Sequence, residues 1–194
     1  MSDSEKLNYL RNVYKLAVEA GKEYNINPVI ILAQGALESG WGSSYGARVR
    51  KNYFGITLGS GTKNKYYDGA WSWNDNKTIK FRIYKTIKDS FFDFARLIRS
   101  NYTTAANVSA DYVKYAKAIA YSPYISETNG DNRSLYQKAI IMNSKFIIAS
   151  LTAVKPIYEK AKIYIIPAIG IGLIIALLRN NINKQNKKIK PCLD

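Results

Sequence analysis

Glu38 is the residue whose type and setting most clearly suggest chemistry. It ends the apolar run that begins at Val29 and is followed at once by small residues and a tryptophan, in GALESGWGSS (35–44). A glutamate at a helix C-terminus faces the negative end of the macrodipole, an arrangement unfavourable by about 0.3–1 kcal/mol. Burial at the end of an apolar helix further disfavours the ionised form and raises the carboxyl pKa, which suits a general acid working near neutrality. Gly35, Gly40 and Gly42 remove bulk beside it and leave room for a ligand. Trp41 and the nearby tyrosines supply flat apolar faces of the kind that stack on sugar rings. The competing, purely structural use of the same residues is an ion pair from Glu38 to Arg48 or Arg50, with Trp41 filling the core.

Composition narrows the chemistry. The 194 residues include no histidine, so triads built on imidazole and ordinary zinc sites are nearly excluded, and carboxylates are left to carry proton transfers. No metal and no cofactor are expected. The 29 basic residues against 14 acidic ones give a net charge of +15, which attracts polyanions: nucleic acid, anionic lipid or an acidic wall polymer. One cysteine, Cys192, allows no intrachain disulfide. The N-terminal stretch lacks the basic start and apolar core of a secretory signal.

The elements that must position Glu38 can be read from periodicity. Leu7, Leu10, Val13, Tyr14, Ala17 and Val18 form a helical stripe over 4–24, with Ser4 or Asp3 as its cap. Asn27, Pro28 and Gly40 then bracket a buried helix over 28–39. Residues 41–73, rich in Gly, Asn, Ser and Tyr, predict a long loop with at most short strands. TIKFRIY (78–84) alternates Ile79, Phe81 and Ile83 with Lys80 and Arg82, a half-buried strand that pairs with the segment near 65–67. Helical patterns return over 87–101, 110–122 and 133–151. The expected fold is mainly α (α+β): one domain over 1–152, a linker over 153–162, an apolar helix over 163–178 and a basic tail over 179–194.

The apolar helix IYIIPAIGIGLIIALL would span about 24 Å, short of the roughly 30 Å hydrocarbon core, a gap that snorkelling Lys160, Lys162 and Arg179 can close. Five basic residues follow it and three precede it, which places the tail in the cytoplasm and the domain outside. Eight basic residues beyond position 150, against Glu159 and Asp194, hold much of the excess charge, so a membrane surface accounts for it as well as nucleic acid does. No specific nucleic-acid partner is expected.

The run INPVIILAQGALESGWGSSYGARVRKNYFGI (26–56) resembles the glucosaminidase domain of glycoside hydrolase family 73, whose members carry an AQ..LESGWG.S..A...NN.FGI pattern. The resemblance continues through FRIYKTIKDSFFDFARLI (81–98) and YVKYAKAIAYSPYISETNGDNRSLYQKAI (112–140), covering residues 25 to 147. It implies a lysozyme-like α-lobe with a small β-hairpin lobe, acting on peptidoglycan by cleaving the β-1,4 linkage after N-acetylglucosamine. Carried over by position, Glu38 matches the catalytic acid. Asn52, Phe54 and Gly55 match the motif shaping the cleft floor, and Tyr121 or Tyr124 the tyrosine beside the substrate. Trp41, Tyr66, Tyr67 and Tyr124 are the aromatic residues expected to cradle the glycan.

One departure matters. Many members carry a second carboxylate in a T.EY..G segment, and the corresponding TKNKYYDG (62–69) has Lys65 at that position. Glycoside cleavage with one acid needs either another carboxylate or the substrate's own 2-acetamido oxygen. The candidates are Asp68, Asp75, Glu127 and Asp131: Asp68 is nearest in sequence and favoured, and Glu127 lies in a loop that should fold back toward the cleft. Alternatives within the same fold are a muramidase or lytic transglycosylase, or a wall-binding module without activity. A wall hydrolase with an apolar segment suggests a membrane-associated protein whose domain faces the wall or periplasm, or a component of a phage virion or its membrane.

Overall fold

The structure, a computed structural model, describes residues 1–59, 64–72 and 79–162. Helix α1 (Asp3–Tyr24) is capped by Ser2, not by Ser4 or Asp3. The Ser2 hydroxyl accepts from the Glu5 N–H at 3.4 Å and the Glu5 carboxylate accepts from the Ser2 N–H at 2.7 Å. Glu5 lies three residues beyond Ser2, the spacing that lets the two groups satisfy each other's orphan donors. Helix α2 (Pro28–Ser39) has the bounds its punctuation predicts: Asn27 accepts from the Val29 N–H at 2.9 Å, and Gly40 ends the helix in the left-handed region at φ 54°. A short helix, α3 (Tyr45–Arg50), lies where a loop was expected, capped by the Ser44 hydroxyl. Six residues are too few to display a period.

Strands β1 (Tyr67–Ser72) and β2 (Lys80–Tyr84) form an antiparallel pair with Trp71 opposite Phe81. Helices α4 (Ile87–Asn101), α5 (Thr103–Asn107), α6 (Tyr112–Ala120) and α7 (Arg133–Lys162) complete the order. The architecture is therefore mainly helical with a small two-stranded sheet. The chain divides into compact units at Ile147 and Ile148, and the site lies in the first. The second is described only as helix, to Lys162, across the expected linker. The apolar helix expected over 163–178 and the basic tail over 179–194 lie outside the described residues, as does Asp75. Among the described residues no helix is long and apolar enough to cross a membrane.

Helix α2 is the centre of the core. Ile30, Ile31, Leu32, Ala33 and Ala36 are fully buried, with α1 and α4 packed against the helix. Gly35 is required by close approach: a Cβ there would meet the Tyr9 hydroxyl at 2.5 Å and the Phe54 ring at 3.2 Å. Phe54 in turn stacks on Phe94 at 4.0 Å and meets Phe91 edge-on at 5.0 Å. Burial of each such ring contributes a few kcal/mol.

Strand β2 turns a different face inward from the one its apolar alternation predicts. Arg82 and Tyr84 are buried, Phe81 and Ile83 are only half-buried, and Ile79 is exposed. The cause is Asp93 of α4, fully buried, which accepts from Arg82 Nη1 at 2.6 Å, Tyr84 Oη at 2.9 Å, Arg96 Nε at 3.0 Å and Asn64 Nδ2 at 3.0 Å. One carboxylate thus pins the hairpin and the segment before it to the helical core. Asp93→Ala leaves the Arg82 guanidinium buried without its counter-charge and is expected to lower stability by about 3–5 kcal/mol. Chemical denaturation measures this, and a loss below about 1 kcal/mol would contradict the anchoring role.

Candidate active site

The SGWG residues after Glu38 build the turn that ends α2. The Ser39 hydroxyl donates to the Gly35 carbonyl and accepts from the Gly42 N–H at 2.7 Å, while the Trp41 N–H reaches the Ala36 carbonyl at 2.7 Å. The glycines expected to leave room for a ligand serve packing and the turn instead. Gly35 admits Tyr9 and Phe54, Gly40 supplies the left-handed cap, and Gly42 faces Tyr53 and Tyr9. The turn fixes where Glu38 points.

Glu38 points into a cleft of about 660 Å³. One wall is the extended segment Gly55–Gly59, which is bonded to β2 through Leu58 N–H to the Lys80 carbonyl at 2.6 Å and Arg82 N–H to the Ile56 carbonyl at 2.9 Å. Asn52 locks the base of this wall: its Nδ2 donates to the Ile56 and Arg82 carbonyls, and its Oδ1 accepts from the Ile56 N–H, all at 3.0 Å. Asn52 and Phe54 therefore support the wall from the buried side. Leu97, Asn101 and Tyr102 line the cleft from the end of α4, Tyr124, Ile125 and Asp131 from the loop after α6, and Tyr136 from α7.

The carboxyl is desolvated and hydrogen-bonded at once. Tyr136 Oη donates to Glu38 Oε1 at 2.5 Å, Gln34 Nε2 donates to Tyr136 Oη at 3.0 Å, and the Tyr115 hydroxyl donates to Gln34 Oε1. With Tyr115 holding the amide oxygen, Gln34 presents its N–H₂ to Tyr136, which leaves the tyrosine proton for Glu38. Burial raises the Glu38 pKa to about 7; the Tyr136 and Tyr124 hydroxyls pull it down and the charge of Asp131 pushes it up. Burial also holds the hydroxyls of Tyr115, Tyr124 and Tyr136 well above their usual range, so they stay protonated donors. A carboxyl that changes protonation near neutrality, inside an aromatic-walled cleft, can give a proton to a bound oxygen.

The structure brings Tyr124 to Glu38 and leaves other expected residues elsewhere. Trp41 packs edge-on between Tyr9 at 5.5 Å and Phe146 at 5.4 Å, outside the cleft lining. Tyr66 hydrogen-bonds to Tyr24, and Tyr67 lies under the Arg82 guanidinium at 4.8 Å. Tyr121 is exposed beside Arg133. Asp68 is exposed on β1, 3.4 Å from Lys85 Nζ, and Glu127 lies 3.4 Å from Arg133 Nε; neither lines the cleft. Lys65 rests over the Tyr66 ring, also outside it. Glu38 pairs with tyrosine, not with Arg48 or Arg50. The residues missed are Gln34, Tyr115 and Tyr136. A polar side chain one turn before Glu38 in an otherwise apolar helix was the available signal for Gln34.

This fold is found in glycoside hydrolase domains. It superposes on that of FlgJ from Salmonella typhimurium with a TM-score of 0.60 at 22% identity, over 82% of this chain and 99% of that one. The catalytic domain of the autolysin Auto from Listeria monocytogenes gives 0.54 at 22% identity, over 75% and 88%. The chain belongs to the glucosaminidase family: the family's sequence model, described as mannosyl-glycoprotein endo-beta-N-acetylglucosaminidase, matches residues 14–168. It is also 28% identical over 140 residues to the peptidoglycan hydrolase FlgJ of Vibrio parahaemolyticus, covering 67% of this chain. It spans less than half of that protein, 46%.

The raised Glu38 value has a consequence for stability. Between the ordinary value of 4.5 and about 7 the folded state holds a proton that the unfolded chain has released. The stabilisation from this group is therefore complete below pH 4.5 and is lost as pH rises through 7. Glu38→Gln keeps an acceptor for Tyr136 and removes the titration. In urea denaturation across this window, wild type is expected to lose up to about 3 kcal/mol relative to the variant. Parallel stability curves would contradict the desolvated carboxyl.

Proposed function

We propose that this chain is a peptidoglycan hydrolase that cleaves the β-1,4 glycosidic bond of the glycan strand as an endo-β-N-acetylglucosaminidase, with Glu38 as general acid. The observation that carries this is the Glu38 carboxyl itself: desolvated at the end of α2, held at Oε1 by Tyr136, and opening into a cleft in a domain of the glucosaminidase family. The substrate class rests on the relative named peptidoglycan hydrolase. With Oε1 accepting from Tyr136, the proton to be given away is carried on Oε2. It passes to the leaving glycosidic oxygen as the bond to the anomeric carbon breaks. The cleft's aromatic and amide groups, Tyr102, Tyr124 and Asn101, are placed to pack on and hydrogen-bond the sugars. The net positive charge favours residence on an anionic wall.

Glu38→Gln is expected to abolish clearing in a peptidoglycan zymogram while leaving the protein folded, and wild-type activity is expected to fall as pH rises through about 7. Undiminished lysis by the variant would overturn the assignment. Mass spectrometry of the released fragments identifies the bond: N-acetylglucosamine at the new reducing end supports the proposal. Muramic acid or its anhydro form there would instead establish a muramidase or a lytic transglycosylase.

A further inference from the structure

Lys65 stands where many family members carry a second carboxylate, and it lies outside the cleft, over Tyr66. Among the described residues two carboxylates line the cleft, Glu38 and Asp131. Asp131 differs from the other acids near the site. Asp68 and Glu127 are each paired with a cation, whereas Asp131 makes no ion pair and no hydrogen bond among the described residues and is exposed to solvent. Its place is set by backbone on both sides. Gly130 turns the chain at φ 83°, and Asn132 caps α7, its Oδ1 accepting from the Leu135 N–H at 2.9 Å and its carbonyl from the Tyr136 N–H at 2.9 Å. The cap that aims Tyr136 at Glu38 therefore also presents Asp131 to the same cleft.

Resting on Glu38 as the general acid, we propose that Asp131 is the second catalytic carboxylate and activates the attacking water. Glu38 and Asp131 do not hydrogen-bond each other, so they are not a proton-sharing dyad, and both line the same cleft of about 660 Å³. The exposed carboxylate brings hydration with it. In the reaction a water oxygen bonds to the anomeric carbon while its proton passes to Asp131. The bond from that carbon to the leaving oxygen breaks, and Glu38 protonates that oxygen. Glu38 ends ionised and Asp131 ends protonated, and exchange with solvent restores both. Attack opposite the leaving group inverts the anomeric centre, so the β-linkage yields an α product. On this reading the second carboxylate comes from the loop before α7 and not from the segment before the hairpin.

The test compares wild type, Glu38→Gln, Asp131→Asn and Asp131→Ser, with Asp68→Asn and Glu127→Gln as controls, for release of soluble fragments from saturating purified peptidoglycan. Binding to peptidoglycan and melting temperature are measured in parallel. The expected result is a loss of about 10²- to 10⁴-fold in rate for both Asp131 variants, with binding and melting unchanged and the controls near wild type. Added azide is expected to restore turnover to Asp131→Ser as an α-configured glycosyl azide, and wild type is expected to release the α anomer first. Asp131 variants within threefold of wild type, alongside an inactive Glu38→Gln, would reject Asp131 and leave the acid intact. Such a result points to the substrate's acetamido oxygen. A shift in the alkaline limb of the pH profile with full rate below pH 6 would reject catalysis by Asp131 in favour of a charge effect on Glu38. Initial release of the β anomer would also overturn the proposal. An active Glu38→Gln would overturn the reading of the acid on which it rests.

Discussion

Desolvation of the Glu38 carboxyl is the constraint on which the rest of the structure depends. A carboxyl is kept out of water only if the helix bearing it is buried at its end as well as along its length, and α2 meets that requirement through fully buried residues from Ile30 to Ala36. Complete burial without partners would cost several kcal/mol and would drive the pKa far above any useful range. The tyrosine hydroxyls offset part of that cost. They also act against the burial, so the carboxyl settles near neutrality, at about 7. The pKa is a balance of burial at the end of α2, which raises it, the Tyr136 and Tyr124 hydroxyls, which lower it, and the charge of Asp131, which raises it.

The opposite wall is built on a second buried carboxylate with the reverse role. Asp93 is surrounded by donors and binds β2 through Arg82 and Tyr84 and the preceding segment through Asn64. A buried ion pair of this kind adds little net stability compared with an apolar core, but breaking it is costly. Its value here is positional. It holds β2, and the Gly55–Gly59 wall bonded to β2 through Ile56 and Leu58, in one register relative to Glu38. The same functional group, a carboxyl, thus serves as a salt-bridged anchor where donors surround it and as a titrating acid where burial dominates.

Local rules made a good part of the fold legible. Asn27, Pro28 and Gly40 act within a few residues of themselves, so α2 could be read with its bounds, and the strong period of α4 was equally visible; the hairpin was expected, but its partner strand is Tyr67–Ser72 and not the segment near 65–67. The failures were of two kinds. α3 is too short to show a period, and its cap, Ser44, looks like any loop serine. The inward face of β2 was misjudged because alternation reports which residues are apolar, whereas the buried Asp93 on a distant helix rewards burying Arg82. The site divides in the same way. Glu38 stood out because a charge at the end of an apolar helix is locally unfavourable. Trp41, by contrast, looked suited to a sugar and instead fills the space between Tyr9 and Phe146.

By itself the sequence determined the helix that carries the candidate acid, the absence of imidazole chemistry and the family to which the chain belongs. Each of these depends on residues close together in the chain or on composition. Tertiary structure decided what surrounds the acid: that Tyr136, 98 residues away, holds its carboxyl, that Asp68 and Glu127 turn outward to cations, and that Asp131 shares the cleft. The physical reason is that desolvation and Coulomb interaction depend on distance through space, and chain separation does not encode that distance until the helices have packed.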